Sequence, residues 1–287
     1  MVAQVGSNST LFRRVESKRS TSYYTSIMEG GAASEVIPQS LRMAKRFTYD
    51  VARFPFPSLV ADVLGCSEGD LKRLHLLPEV KQWMRGCEAN NVRAYTVRRN
   101  IIDCRFKEAG GFRSSKRLRE CYEQFVREVA APLVAIDHDD QHCDLPSARL
   151  EEASAPACYQ RDPNFRAHLA GTGHHLTQRH RDAQYHHQPL ELNFWIPLTR
   201  AHASNTLFVE SAPGAGDFFP FELGPGEGIR FWGHSCEHYT LPNTTDDTRV
   251  SFDFRFVAPG MYRERYSNSH KSDGTPRFAI GGFFDTL

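Results

Sequence analysis

Two histidines and an aspartate are the residues of this chain whose types and spacing most directly indicate chemistry. His180 and Asp182 are separated by one residue, whereas His238 lies far along the sequence. In an extended strand, side chains two residues apart point to the same side, so a His-x-Asp pair can present both side chains together. Two imidazoles and one carboxylate can occupy one face of a divalent metal ion. The pattern therefore predicts a metal site, with His238 contributed by a different strand.

Three protein ligands would leave three positions open on an octahedral ion. Sites with two histidines, one carboxylate and open positions are typical of non-haem Fe(II) centres. Two of the open positions would accept a chelating α-keto acid, and the third would accept O2. A cationic anchor for the far end of such an acid should then lie close to the metal ligands.

A candidate for this anchor is Arg249, which begins a strictly alternating run of polar and apolar residues that continues to Phe256. The alternation predicts a β-strand with Arg249 and Ser251 on the same face. A guanidinium group binds a carboxylate through two parallel hydrogen bonds, so this face suits a carboxylate ligand. Arg255 shares the face, where it could be an alternative clamp, a substrate contact or a partner of Asp253. The apolar residues of the opposite face require burial against elements outside the β core.

The stretches around these residues carry a family resemblance that covers about residues 160–257. The chain resembles the Fe(II)- and 2-oxoglutarate-dependent oxygenases of the double-stranded β-helix fold. Within them it is similar to the phytanoyl-hydroxylase-like group, and most of all to the StrG-type proteins of antibiotic biosynthesis. A His-x-Asp pair alone is a weak signal, but it is specific when a distal histidine and an Arg-x-Ser follow at the family spacing. The matching stretches are residues 180–185, 191–199, 205–211, 238–243 and 248–255.

The resemblance implies roles for the residues already singled out. His180, Asp182 and His238 would be the iron ligands and the catalytic centre. Arg249 and Ser251 would hold the distal carboxylate of 2-oxoglutarate.

Asn193 and Trp195 lie on one face of a predicted inner strand, and the resemblance implies that they lie near the 2-oxoglutarate. For Trp195 a place in the core is an equal alternative. The implied reaction consumes O2 and 2-oxoglutarate and releases succinate and CO2. It would hydroxylate a small polar metabolite or close a ring in it, and a sugar, an aminoglycoside or an amino-acid derivative of secondary metabolism would be a substrate of this kind.

Two other histidine patterns compete with this metal site. His138 and Asp140 form a second His-x-Asp pair, but they lie in a polar loop with no arginine-bearing strand behind it. His234 and His238 form a His-x-x-x-His pair, which on a helix could chelate zinc. Gly233 and the β-rich sequence that follows it argue against a helix there. His238 is therefore preferred, because Arg249 follows it at the family spacing.

The pattern of apolar residues predicts a β core with helices upstream of it. Helical periodicity dominates from about residue 41 to 130, with helix starts at Pro78 and at Ser114 or Ser115 and a strand at 93–104. The later half consists of short segments separated by proline and glycine, which is typical of a barrel or jelly roll. The predicted strands are 164–170, 180–187, 191–198, 205–210, 227–232, 236–241 and 249–257.

The predicted fold is mainly β with flanking helices, built on a double-stranded β-helix (jelly-roll, cupin-like) core. Residues 1–40 are expected to be a flexible extension, and 41–287 a single oxygenase domain. Within that domain we expect a helical buttress at about 41–130 and the β-helix core at about 160–257. The C-terminal tail, 258–287, is expected to add a final strand near the mouth.

Composition limits the possible partners. The net charge is +1, so no bulk electrostatic attraction to nucleic acid or an anionic membrane is expected. Seven dispersed cysteines without a C-x-x-C pair are typical of reduced thiols in a cytoplasmic protein. No apolar run is long enough to span a membrane, and no signal peptide is recognised. We expect a small-molecule substrate and a monomer or homodimer. The alternatives are an oxygenase acting on a protein or other macromolecule, and a non-catalytic β-helix binding protein.

Overall fold

The computed structural model describes residues 37–89, 100–134, 156–263 and 277–287. Helices dominate the first two ranges, with one strand near the start, and strands dominate the third. The α-helices are α1 (Gln39–Arg42), α2 (Phe56–Leu64), α3 (Pro78–Ala89), α4 (Ile101–Glu108) and α5 (Lys116–Phe125). The strands are β1 (Lys45–Thr48), β2 (Cys158–Gln160), β3 (Asn164–His168), β4 (Glu191–Pro197), β5 (Phe208–Val209), β6 (Phe219–Pro220), β7 (Glu227–Phe231), β8 (His238–Tyr239), β9 (Arg249–Val257) and β10 (Phe284–Thr286). Short 3₁₀ helices lie at Glu68–Leu76, Gly111–Arg113, Ala131–Val134, Asp182–Tyr185 and Ala203–Asn205, and a π turn at Val126–Ala130 continues α5.

The strands form two antiparallel sheets. The large sheet has the order β1-β7-β4-β9-β2-β10, and β3 pairs with the first half of β9. The small sheet has the order β6-β5-β8 and is extended by a bridge between His180 and His238. Apolar residues of both sheets form one cluster, in which the ring centroids of Trp195 and Phe221 lie 6.5 Å apart. Two facing sheets, neither closed on itself, form the jelly-roll core, which confirms the predicted double-stranded β-helix.

The helices cover the outer face of the large sheet, as the sequence predicts. The even-numbered residues of β9 point toward them and are fully buried. The Phe252 ring lies 4.9 Å from that of Phe56 on α2 and 5.1 Å from that of Phe112, measured between centroids. The Phe254 ring lies 5.4 Å from that of Tyr122 on α5. These edge-to-face contacts bury large apolar areas and fix the helices on the sheet.

The inner face of the large sheet is polar, and the strand register sets the side chains in rows. Asp253 lies opposite Asn164 on β3 and opposite Trp195 on β4. One row further along β9, Arg255 lies opposite Asn193 of β4. Toward the start of β9, Ser251 pairs with Arg166 and Arg249 pairs with His168. Alternate residues of a strand point to the same face of a sheet. The pairing of β9 with β3 and β4 therefore brings polar residues of these three strands together in the space between the two sheets.

Two local predictions are wrong. Residues 180–187 do not form a strand, because the chain leaves the bridge at His180 and turns into a 3₁₀ helix, which ends at His186 with a positive φ of 66°. The predicted strand 93–104 is replaced from Ile101 onward by α4. The side chain of Asn100 caps this helix by accepting the backbone N–H groups of Ile102 and Asp103, an interaction that outweighs the β preference of two adjacent isoleucines. Residues 93–99 lie outside the described part of the chain.

Other local predictions are confirmed. α3 begins at Pro78, and α5 follows Ser115, whose hydroxyl accepts the N–H of Leu118. The final strand, β10, does form, but it pairs with β2 at the edge of the large sheet. The proposed extension, 1–40, lies outside the described residues up to position 36. Ile37 is already fully buried, so the packed part begins before the predicted boundary at 40.

The division into an extension and one oxygenase domain stays a prediction. Within residues 37–89, 100–134, 156–263 and 277–287, no helix has the length and apolar character needed to cross a membrane.

Candidate metal centre

The small sheet and the turn beside it position the two histidines and the aspartate. His180 and His238 exchange backbone hydrogen bonds of 3.1 and 2.9 Å, so their side chains lie side by side. Arg181 is extended, which returns Asp182 to the same side as His180. The Asp182 N–H donates to the carbonyl of Gly233 at 2.9 Å and fixes the start of the 3₁₀ helix. The predicted same-side geometry of the His-x-Asp pair is therefore present although the predicted strand is not.

The three side chains converge in a buried cluster. Oδ1 of Asp182 lies 3.5 Å from Nε2 of His180 and 3.6 Å from Nε2 of His238. One candidate ligand atom from each residue lies within 4.8 Å of the others. Nδ1 of His180 faces the Gln178 carbonyl at 2.7 Å, and Nδ1 of His238 faces the Cys236 carbonyl at 3.1 Å. An N–H at each Nδ1 would leave Nε2 as the free donor atom, which is how metal-binding histidines are commonly oriented.

The electrostatics of the cluster favour the protonation states that metal binding requires. Burial lowers the pKa of His238 to about 4, so its imidazole is neutral at pH 7. Burial alone would raise the pKa of Asp182, but the adjacent Arg255 guanidinium holds it well below its usual range. A neutral imidazole and an ionised carboxylate are the forms that coordinate a cation.

The second oxygen of Asp182 has a different environment. Oδ2 accepts hydrogen bonds of 2.7 Å from Nδ2 of Asn193 and 2.7 Å from Nη2 of Arg255. The other terminal nitrogen of Arg255 donates to Asp253. Arg255 is therefore already paired with two carboxylates, and its alternative role as a clamp for a ligand is not available in this arrangement.

Arg249 lies fully buried in the same pocket as the two histidines. Its Nε donates to the carbonyl of Asn205 at 3.0 Å, and its Nη1 donates to the Ser251 hydroxyl at 2.5 Å. Its guanidinium carbon lies 5.5 Å from the centre of the Trp195 ring. Burial lowers the pKa of Arg249 to about 9, which leaves it cationic at pH 7. Among the described residues no carboxylate lies within ion-pair distance of it, so the cation lacks a direct counter-charge.

The structure thus brings the predicted site residues together: His180, Asp182, His238, Asn193, Trp195, Arg249 and Ser251. The competing pattern at His234 does not join them. It lies in a turn, where its Nδ1 pairs with the Ser235 hydroxyl at 2.9 Å and its ring stacks on Trp232. The pair His138 and Asp140 lies outside the described residues.

Several pocket residues were not singled out from the sequence. Thr240 lies two residues after His238 on the same face, so strand periodicity could have identified it. Arg166 reaches the pocket through the pairing of β3 with β9, which is not visible in the sequence. The residues lining the pocket are Arg166, Thr177, His180, Asn193, Trp195, Leu207, Phe231, His238, Thr240, Arg249, Asp253 and Arg255.

Comparisons with known proteins give one curated relative and several structural neighbours. No protein-family model matches the chain. A segment of 128 residues is 37% identical to the streptomycin biosynthesis protein StrG of Streptomyces griseus and covers 45% of this chain and 59% of that protein. The match thus spans less than two thirds of the relative's length. It confirms the predicted likeness to StrG-type proteins.

Three solved structures to which the chain is similar have TM-scores below 0.5. A non-haem monooxygenase, ThoJ in its apo form, has a TM-score of 0.40 at 15% identity and covers 77% of this chain and 76% of its own. CytC3 with Fe(II) and α-ketoglutarate has a TM-score of 0.30 at 20% identity, covering 42% and 53%. SnoK, an α-ketoglutarate-dependent carbocyclase from nogalamycin biosynthesis, has a TM-score of 0.32 at 17% identity, covering 48% and 66%.

Proposed function

We propose that this chain is a non-haem Fe(II)- and 2-oxoglutarate-dependent oxygenase that oxidises a small polar metabolite. One observation carries the proposal: two imidazole nitrogens and one carboxylate oxygen converge in a buried cluster beside Arg249, which has no direct counter-charge among the residues that the structure describes. The similarity to a streptomycin biosynthesis protein supports a place in secondary metabolism.

The donor set of the cluster fits Fe(II). Nε2 of His180, Nε2 of His238 and Oδ1 of Asp182 would hold the ion, because these atoms face one another and both Nδ1 atoms face carbonyl groups. Two histidines and one carboxylate with open positions are the donor set of non-haem Fe(II) oxygenases. Bound iron, 2-oxoglutarate and O2 together would supply the oxidising power for attack on a C–H bond, with succinate and CO2 as co-products.

Arg249 and Ser251 would bind the distal carboxylate of 2-oxoglutarate. A buried guanidinium without an anion is costly, and a dicarboxylate ligand would provide the missing charge. Nη1 of Arg249 is held by Ser251 and Nε by Asn205, so the plane of the guanidinium is fixed before a ligand arrives. Trp195 packs against the guanidinium and limits access of water to it.

The rest of the pocket would hold the substrate. Its wall combines hydroxyl and charged groups with apolar ones, including Thr177, Arg166 and Leu207. Tyr185 is partly exposed, and the centre of its ring lies 5.1 Å from that of His180, so it borders the metal cluster. Such walls orient a polar molecule by hydrogen bonds, and the C–H bond brought closest to the metal determines whether hydroxylation or ring closure follows.

The test is an anaerobic titration of the protein with Fe(II) and 2-oxoglutarate. We expect a weak visible charge-transfer band, and slow release of succinate when air is admitted. His180→Ala should lose both signals. His234→Ala is the matched control, because it removes a neighbouring imidazole outside the cluster and should keep both. Absence of the band and of succinate in the folded wild-type protein would refute the proposal.

A further inference from the structure

We propose that Arg255 and Asn193 are positioning residues that restrict Asp182 to coordination through one oxygen, and that Gly233 provides the space this arrangement needs. The inference rests on the proposed metal site and concerns how its carboxylate is oriented. It follows from the contacts around the two oxygens of Asp182, which differ sharply.

The two oxygens of Asp182 are not equivalent. Oδ2 accepts N–H groups from Asn193 and Arg255, each at 2.7 Å. Two donors occupy the two lone-pair directions of a carboxylate oxygen, so Oδ2 has no acceptor capacity left for a cation. Oδ1 instead faces Nε2 of both histidines at 3.5 and 3.6 Å. The carboxylate is therefore turned so that one oxygen is bound by the protein and the other is presented to the metal site.

Arg255 can act in this way because it is itself held in place. The other terminal nitrogen of Arg255 donates a hydrogen bond to Asp253. Asp253 is in turn fixed by Arg166 and by Asn164, each at 3.0 Å. The Arg255 guanidinium thus bridges two buried carboxylates. Rotation of Asp182 would break one of the two contacts that balance the positive charge of Arg255.

Gly233 leaves free the space that the amide of Asn193 occupies. A Cβ atom added at position 233 would lie 2.6 Å from Nδ2 of Asn193 and 2.7 Å from its Cγ and Oδ1. These separations are far below van der Waals contact, so any side chain at 233 must displace the amide. The carbonyl of the same glycine accepts the N–H of Asp182 at 2.9 Å. The turn therefore fixes the backbone of Asp182 and, because residue 233 has no side chain, leaves room for Asn193 beside it.

One-oxygen coordination has a consequence for the proposed reaction. A carboxylate that used both oxygens would take a fourth position on an octahedral ion. With Asp182 restricted to Oδ1, the protein takes three positions and leaves three, which is the number that a chelating keto acid and O2 together require.

The experiment compares three variants with a matched control. Asn193→Ala removes one donor and no charge. Gly233→Ala keeps every polar group and only displaces Asn193. Arg255→Gln removes the charged donor. Arg46→Gln is the control, because it removes a guanidinium of the same large sheet that pairs with Glu227 and belongs to neither the Asp182 nor the Asp253 network.

Two measurements on the Co(II)-loaded proteins are informative without turnover. The separation of the antisymmetric and symmetric carboxylate stretches, measured by infrared difference spectroscopy with ¹³C-labelled aspartate, is wider for one-oxygen than for two-oxygen coordination. We expect a wide separation in the wild type and in Arg46→Gln, and a narrower one in the three variants. Calorimetric titration should show Co(II) affinity about tenfold or more weaker in those variants, as is typical when a partner of a ligand is lost.

The outcomes separate this inference from the proposed function. If the folded wild type binds no Co(II), the metal site itself fails. If it binds Co(II) but already has a narrow separation, or if Asn193→Ala and Gly233→Ala keep the wild-type separation and affinity, the positioning role is overturned. It is also overturned if Arg46→Gln changes both readings as much as Arg255→Gln. Should Arg255→Gln fail to fold, the two charge-neutral variants decide the question.

Discussion

The two faces of β9 are built from alternate residues of one strand, yet they have opposite character. The outer face carries Phe252, Phe254 and Phe256. The rings of Phe252 and Phe254 pack on helices and on each other, and the ring of Phe256 packs on Phe194 of β4. The inner face carries Arg249, Ser251, Asp253 and Arg255, all of which are buried too. Both faces are therefore buried, and they differ in the chemistry of their side chains and of the neighbours that these side chains contact.

One face of β9 therefore stabilises the fold, and the other carries the side chains of the proposed active site. Aromatic rings on the outer face gain free energy simply by leaving water. Charged groups on the inner face lose hydration and must be compensated by partners. Arg255 has this compensation from Asp182 and Asp253, whereas Arg249 has none of this kind among the described residues. Arg249 thus lies beside the proposed metal ligands without a neighbouring carboxylate, which is a reason to expect that an anion binds there.

The largest effect is expected from Asp182→Ala on the inner face. Without this carboxylate the proposed metal site has only two imidazoles, and succinate formation dependent on Fe(II) should fall below detection. Arg255 would keep Asp253 as a partner, so the protein should remain folded. Succinate assays and thermal melting of the same preparation check this. Full activity without the carboxylate would refute the ligand assignment.

Phe252→Ala should have the largest effect on the outer face. It removes a ring that contacts Phe56, Phe112 and Tyr122, and we expect the free energy of unfolding to fall by about 3–5 kcal/mol. Urea unfolding provides the measurement. Metal affinity of the folded protein should stay at the wild-type value, because the ring faces away from the cluster. A large loss of metal affinity at unchanged stability would reverse the assignment of the two faces.

Arg249→Gln should weaken binding of 2-oxoglutarate to the Mn(II)-loaded protein. Losing one member of a buried charge pair costs about 2 kcal/mol or more, which is roughly thirtyfold in affinity. Ser251→Ala removes a neutral partner of the same guanidinium and should cost only about 1 kcal/mol. Calorimetry can compare the two. Equal effects, or none, would indicate that the dicarboxylate binds elsewhere.

A smaller, pH-dependent effect follows from the burial of Arg249. Burial lowers its pKa to about 9 in the ligand-free protein. The cationic form, which attracts a carboxylate, is thus present at pH 7 and is lost as the pH rises through 9. In the wild type, affinity for 2-oxoglutarate should therefore fall as the pH is raised from 7 to above 9. In Arg249→Gln the affinity should be low throughout and independent of pH. A parallel pH profile in both proteins would assign the titration to another group.

Much of this arrangement could be predicted from the sequence, because strand alternation is a local property. The run from Arg249 to Phe256 reveals both faces of β9 without knowledge of its neighbours. The turn at Asp182–Tyr185 was missed, since a bridge of one residue followed by a 3₁₀ helix has no periodicity of its own. The contact of Arg255 with Asp182 was also missed, because it depends on how far apart β9 and the small sheet lie. The role of Gly233 depends on the close approach of a turn to Asn193, which no sequence pattern encodes.

The most direct test of the central claim is anomalous diffraction from crystals grown anaerobically with Fe(II). We expect one strong iron peak per chain, bonded to Nε2 of His180, Nε2 of His238 and Oδ1 of Asp182, with Oδ2 still held by Asn193 and Arg255. A chain that binds no iron, or that binds it between His234 and His238 without the carboxylate, would contradict it.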